Sequence, residues 1–122
     1  MPVLDTNFLI ALEQGDEDAV QWLRDHRAAE HHVPDFVAVE YLTGHTEADA
    51  AFDALQAAFV IAHGDPAWIQ SATRMRKSLR SDKVRFRTPD FWIAAWADHL
   101  GTSVVTKDAA HFRPLKVTVE SW

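Results

Sequence analysis

Cysteine is absent from the 122-residue chain, which excludes a disulfide scaffold, a zinc ribbon and a thiol nucleophile together. Long apolar runs are missing too. No stretch approaches the ~20 apolar residues of a membrane span, and Met1-Pro2-Val3-Leu4-Asp5 lacks the basic, then apolar, pattern of a signal peptide. A soluble, cytoplasmic protein with no membrane role is the expectation. Basic residues are scarce: 12 Lys plus Arg face 18 Asp plus Glu, a formal charge of −6, which argues against wholesale coating of nucleic acid. What the chain does have is 48% hydrophobic residues. That suits one domain over residues 1–122, since a chain of this size buries roughly two-thirds of its unfolded surface without staples. There are no repeats, low-complexity tracts or linkers.

The scarce cations are concentrated. Arg74, Arg76, Lys77, Arg80, Lys83, Arg85 and Arg87 face only Asp82, so this segment carries +6 and the remainder −12. Such a polarised field suits a charged partner, although an Arg-rich solvated helix face and loop would give the same pattern.

Strands and helices alternate. Pro2 to Asp5 is a short apolar strand, and Phe8 to Leu12 begins a helix that stops near Gly15. Asp16-Glu17-Asp18 opens a second helix running to about Ala29, its acids at the positive end of the helix dipole. After the extended His31-His32-Val33-Pro34, Asp35 is a candidate N-cap for a helix ending at Gly44, and Thr46 opens another. Phe59 to Ala62 reads as a strand by its apolar run and β-propensity. Asp65-Pro66 and Thr88-Pro89-Asp90 are helix starts, with proline near the first helical position, and Ser81 to Arg87 is the loop between those helices. Strands at Ser103–Thr106 and Val117–Val119 complete the pattern. The fold class is therefore α/β, with a mostly parallel central sheet and helices on both faces.

In such sheets ligands gather at the carboxyl ends of the strands. Asp5 ends the first strand, where an unpaired charge is costly, and Asp108 follows the Ser103–Thr106 strand by two residues. Asp90 lies in the first turn of the helix before that strand, and Glu40 interrupts an apolar helix. Plainer explanations stand beside three of them: a dipole partner for Asp90, a turn residue at Asp108, and a solvated stripe or an Arg partner for Glu40. If the four converge, they repel one another and need a hard cation. Oxygen-only donors suit magnesium or manganese rather than zinc. The seven histidines lack the i, i+4 spacing of a helical metal pair. Trp92 and Trp96 share a helix face, open to core packing or to a dimer or partner surface.

The words around the acids carry a resemblance. Leu4-Asp5-Thr6-Asn7, Val39-Glu40-Tyr41, Asp90-Phe91-Trp92-Ile93-Ala94-Ala95-Trp96-Ala97 and Val105-Thr106-Lys107-Asp108-Ala109-Ala110-His111-Phe112 resemble, in order, the motifs of the PIN-domain nucleases. More narrowly, they resemble the VapC-type toxins of prokaryotic toxin–antitoxin pairs. The resemblance runs from Leu4 to about Val119. It implies a single PIN-like domain in which Asp5, Glu40, Asp90 and Asp108 bind metal and Thr6, Asn7 and Thr106 line the pocket. It also implies a homodimer and a small VapB-like antitoxin whose tail covers the site.

The implied activity is metal-dependent cleavage of RNA, leaving a 5′-phosphate and a 3′-hydroxyl. One or two Mg2+ (or Mn2+) ions would lower the pKa of a bound water and offset charge on the leaving oxygen. Two ions would move the formal balance from −6 to −2. An acidic pocket repels phosphate, which gives the neighbouring cations, notably Arg80, Arg85 and Arg87, an RNA-holding role. The alternatives are a housekeeping RNA-processing nuclease and a non-catalytic RNA- or partner-binding module. A phosphoacceptor receiver domain fits poorly, because Asp5 is followed by Thr6-Asn7 rather than an acidic partner and Glu40 would have no role.

Overall fold

Side-chain capping sets where two of the helices begin in the computed structural model, which describes residues 1–122. The elements run β1 (Val3–Leu4), α1 (Thr6–Glu13), α2 (Glu17–Asp25), β2 (His32–Pro34), α3 (Asp35–Thr43), α4 (Ala48–Ala58) and β3 (Val60–Ala62). There follow α5 (Pro66–Ser81), α6 (Thr88–Leu100), β4 (Ser103–Val105), α7 (Ala109–Phe112), a 3-10 turn (Arg113–Leu115) and β5 (Thr118–Glu120). The Asp16 carboxylate accepts from the Asp18 and Ala19 amides, and Asp65 accepts from the Trp68 amide, satisfying donors that a helix start leaves free. Gly101, at φ 64°, closes α6 in the left-handed conformation that glycine adopts without strain.

Several boundaries differ from the sequence expectation. Asp35 is not the cap of α3. β2 runs directly into the helix, so Pro34 is the N-cap and Asp35 the first helical residue. Helix α2 stops at Asp25 rather than Ala29, because His26 ends it with its ring on the Trp22 carbonyl at 2.7 Å. Helix α4 starts two residues after Thr46, and α5 continues to Ser81. The four-residue α7 is too short to show a helical period and was not expected.

All five strands pair in parallel, in the order β3-β2-β1-β4-β5. Helices α1 to α4 pack among themselves, as do α5 to α7. With this strand order, the right-handed rule for parallel crossovers puts the first set on one face of the sheet and the second on the other. Phe8, Phe91 and Phe112 are fully buried at the centre, each worth roughly 1.5–3 kcal/mol of apolar burial. Trp68 of α5 covers the Trp92 and Trp96 stripe, with ring centroids 5.5 and 5.1 Å away. That stripe is helix packing within the chain. The chain moves one way from β1 through β2 to β3, and the other way from β4 to β5. The β1/β4 junction is therefore the topological switch point, where the following segments diverge and leave a crevice.

Candidate functional site

That crevice holds the acids. A cleft of about 170 Å3 is lined by Asp5, Thr6, Asn7, Phe36, Glu40, Arg87, Pro89, Asp90, Ile93, Asp108 and His111. Asp5 enters from the end of β1, Glu40 from α3, Asp90 from the first turn of α6, and Asp108 from the turn before α7. Each residue comes from a different element, which is why no single motif announces the site.

Asp5 is the most constrained. Its amide donates to the Val105 carbonyl at 3.2 Å, so β4 holds it in register. The Thr106 hydroxyl donates to Asp5 Oδ2 at 2.8 Å and accepts the Asp108 amide at 3.0 Å. Thr106 is fully buried, so this relay fixes the two acids relative to each other. Asn7 donates its side-chain amide to Asp108 Oδ2 at 3.1 Å. The structure thus places Thr6 and Asn7 in the cleft lining and Thr106 beneath it.

Burial pushes the Asp5 carboxyl above its ordinary value; the Thr106 hydroxyl and the Thr6 amide pull against this, while Asp108 and Asp90 add to it. Asp90 is raised by burial as well, partly offset by His111 and Arg87. Its Oδ2 lies 3.9 Å from His111 Nδ1, too long for a hydrogen bond, and is buried without a hydrogen-bond partner. Glu40 is exposed at the rim. No three acidic or histidine side chains close into a finished ligand cage as they stand. The donor set still fits a hard divalent ion. Four carboxylates share one small cleft, one of their oxygens is buried and unsatisfied, and the ionised forms of two need a compensating charge.

A second cleft of about 360 Å3 adjoins the first, lined by Arg85, Phe86, Arg87, Asp90, Ala110, His111 and Pro114. It shares Arg87, Asp90 and His111 with the acidic cleft. Arg85 and Arg87 are thus brought beside the acids. Arg80, on the exposed last turn of α5, lines neither cleft. His111, within the Val105–Phe112 motif, lines both clefts. Its spacing from Asp108, one turn of α7, was the available signal.

An open parallel α/β sheet with a carboxylate cleft at its switch point defines a class of domain suited to divalent cations and phosphates. The PIN domain family model matches residues 3–116, and the chain belongs to that family. The fold is similar to that of DNA-bound VapBC from Salmonella typhimurium, with a TM-score of 0.83 and 17% identity over 100% of this chain and 99% of that one. It is also similar to VapBC2 from Rickettsia felis bound to a promoter DNA fragment, with a TM-score of 0.82 and 16% identity over 98% and 97%. VapBC-1 from nontypeable Haemophilus influenzae gives 0.79 and 16% over 98% and 96%. At these identities the likeness concerns the fold. No curated protein matches the chain in sequence.

Proposed function

We propose that the chain is a metal-dependent endoribonuclease, the toxin of a VapBC-type pair. The observation that carries this reading is the meeting of Asp5, Glu40, Asp90 and Asp108 around one cleft at the sheet's switch point. Membership of the PIN family supports it, and so does the similarity of the fold to toxin–antitoxin complexes. Asp5, Glu40 and Asp90 would hold the principal Mg2+ or Mn2+ ion, with Asp108 bound directly, through water, or to a second ion. Bound there, the ion supplies an activated water and neutralises charge on the leaving oxygen.

The chain's own residues do the rest. Thr106 fixes the spacing of Asp5 and Asp108, and Asn7 turns Asp108 by holding one oxygen. Arg85 and Arg87 hold the RNA backbone beside the acids, and Arg80 adds to the field from farther away. A VapB-like antitoxin is the expected partner, and a homodimer is part of the proposal. No helix is long and apolar enough to cross a membrane; a cytoplasmic location is part of the proposal.

The test is incubation with total RNA in Mg2+ or Mn2+, with chelator and Asp5→Asn controls, followed by mapping of the cut ends. Cleavage leaving 5′-phosphates and stopped by both controls supports the reading. Cleavage that persists in Asp5→Asn, or none with either metal, overturns it.

A further inference from the structure

Trp122 touches the segments that carry two of the four acids of the cleft, Asp5 and Asp108. Its ring stands edge-on to Phe8 at 5.6 Å. Phe8 is three residues beyond Asp5, and its amide donates to the Asp5 carbonyl at 3.1 Å. On the other side, the Lys107 ammonium lies 4.3 Å from the Trp122 ring centroid. Lys107 sits between Thr106 and Asp108 in the chain. The strand leading to Trp122 is tied to the same place: the Thr106 amide donates to the Glu120 carbonyl at 3.0 Å, and Val105 pairs with Glu120 across β4 and β5. The indole nitrogen is buried without a hydrogen-bond partner, so it is the ring, and not the N–H, that makes these contacts.

Lys107 is the cation adjacent in sequence to Asp108. An ammonium free to swing toward the acids would occupy their charge and compete with a divalent ion. The structure instead rests it on an aromatic face, where the ring quadrupole attracts it. We infer that Trp122 is a positioning residue for the acidic cleft: it seats the Lys107 ammonium away from Asp108 and braces the Thr106–Asp108 turn against the first turn of α1. This inference rests on the proposed metal-binding role of the cleft.

Mn2+ binding to the 122-residue chain, followed by calorimetry without RNA, tests it. Trp122→Leu keeps an apolar, though smaller, side chain against Phe8 and removes the cation seat. It is expected to weaken Mn2+ binding about tenfold, while Trp122→Phe, which keeps an aromatic face, stays within about twofold. Adding Lys107→Gln to Trp122→Leu should restore most of the lost affinity, since the competing charge is gone. A purely structural role would lower the melting temperature of Trp122→Leu without a Lys107-dependent change in affinity. Trp122→Leu binding Mn2+ as wild type does, or no recovery in the double variant, overturns the inference. Should Trp122→Leu fail to fold, Trp122→Phe and Trp122→Met decide it, with unequal Mn2+ affinities expected and equal ones overturning it. Wild type binding no Mn2+ at all would instead refute the metal site, a failure distinct from that of Trp122.

Discussion

The two clefts that meet at Asp90 are built differently. The acidic one rests on strand ends: Asp5 and Thr106 follow β1 and β4, are buried, and are tied by a hydrogen-bond relay. The basic one is made from the loop between α5 and α6 and from the short α7 and 3-10 turn, and Arg85 and Arg87 are exposed. Rigid elements hold reacting groups to tight tolerances, whereas loops suit adaptable backbone contacts. Under the proposed function, the contrast would give chemistry to the first cleft and grip to the second. It would also let a chain of net charge −6 approach RNA. The opposite charges are sorted into neighbouring clefts, so the total says little about either.

The sharpest way to break this division is to disable each side separately. Asp5→Asn keeps the shape and the Thr106 contact but removes a charge. It should lower the cleavage rate more than about 100-fold, a larger loss than that usual for a residue supporting a metal ligand. RNA affinity, measured by filter binding in chelator, should fall little or rise, because a repelling charge has gone. A large loss of affinity there would mean that the clefts are not divided in function.

Thr106→Val asks whether the rigidity itself matters. The substitution is close in volume but removes the hydroxyl that donates to Asp5 and accepts from the Asp108 amide. A loss of about 10- to 100-fold in rate or Mn2+ affinity is expected, the usual cost of disturbing a group that orients a metal ligand. Activity within twofold of wild type would show that the relay does not set the acids.

On the basic side, Arg85→Gln combined with Arg87→Gln should weaken RNA binding and leave Mn2+ affinity nearly intact. Two phosphate contacts contribute about 1.4 to the salt slope for single strands, so the plot of log affinity against log salt should flatten by roughly that amount. Arg80→Gln alone should change it less, since Arg80 lines neither cleft. An equal effect at Arg80 would make the whole basic segment one diffuse field.

Much of the architecture was legible because capping signals are local. Asp16, Asp65-Pro66 and Thr88-Pro89 marked helix starts that the structure places within a residue. Strand order was not legible, since β1 is two residues long and its pairing to β2 and β4 depends on crossovers spread over the chain. Asp35 was misread as a cap because an acid before an apolar helical run is a cap signal whether or not the preceding strand leaves room for one. Asp5, Asp90 and Asp108 could be named singly from their positions at element ends and Glu40 from its place in an apolar helix, but only the fold brings Glu40 to the others. The motif contains His111 without marking its facing, because a four-residue helix shows no periodicity beyond its one-turn spacing from Asp108. The sharing of Asp90 between two clefts is a property of surfaces that spacing does not encode.

The smallest effect concerns the cost of assembling the acidic cleft. Burial raises the Asp5 carboxyl above 3.8, so folding takes up protons in the window between that value and the raised one. A group shifted this way penalises the folded state once pH exceeds its folded value and is without effect below the unfolded one. Without metal, Asp5→Asn should therefore melt at nearly the wild-type temperature near pH 3.8, if both remain folded there. It should become more stable than wild type by a few degrees as pH rises through the raised value, because active sites commonly trade stability for function. Saturating Mn2+ should reverse the order at neutral pH by stabilising wild type through its ionised acids. Melting curves of both proteins at several pH values, with and without Mn2+, measure the difference. A gap that stays constant with pH would mean that the Asp5 charge is already compensated within the chain, and the cleft would then have no electrostatic need for an ion.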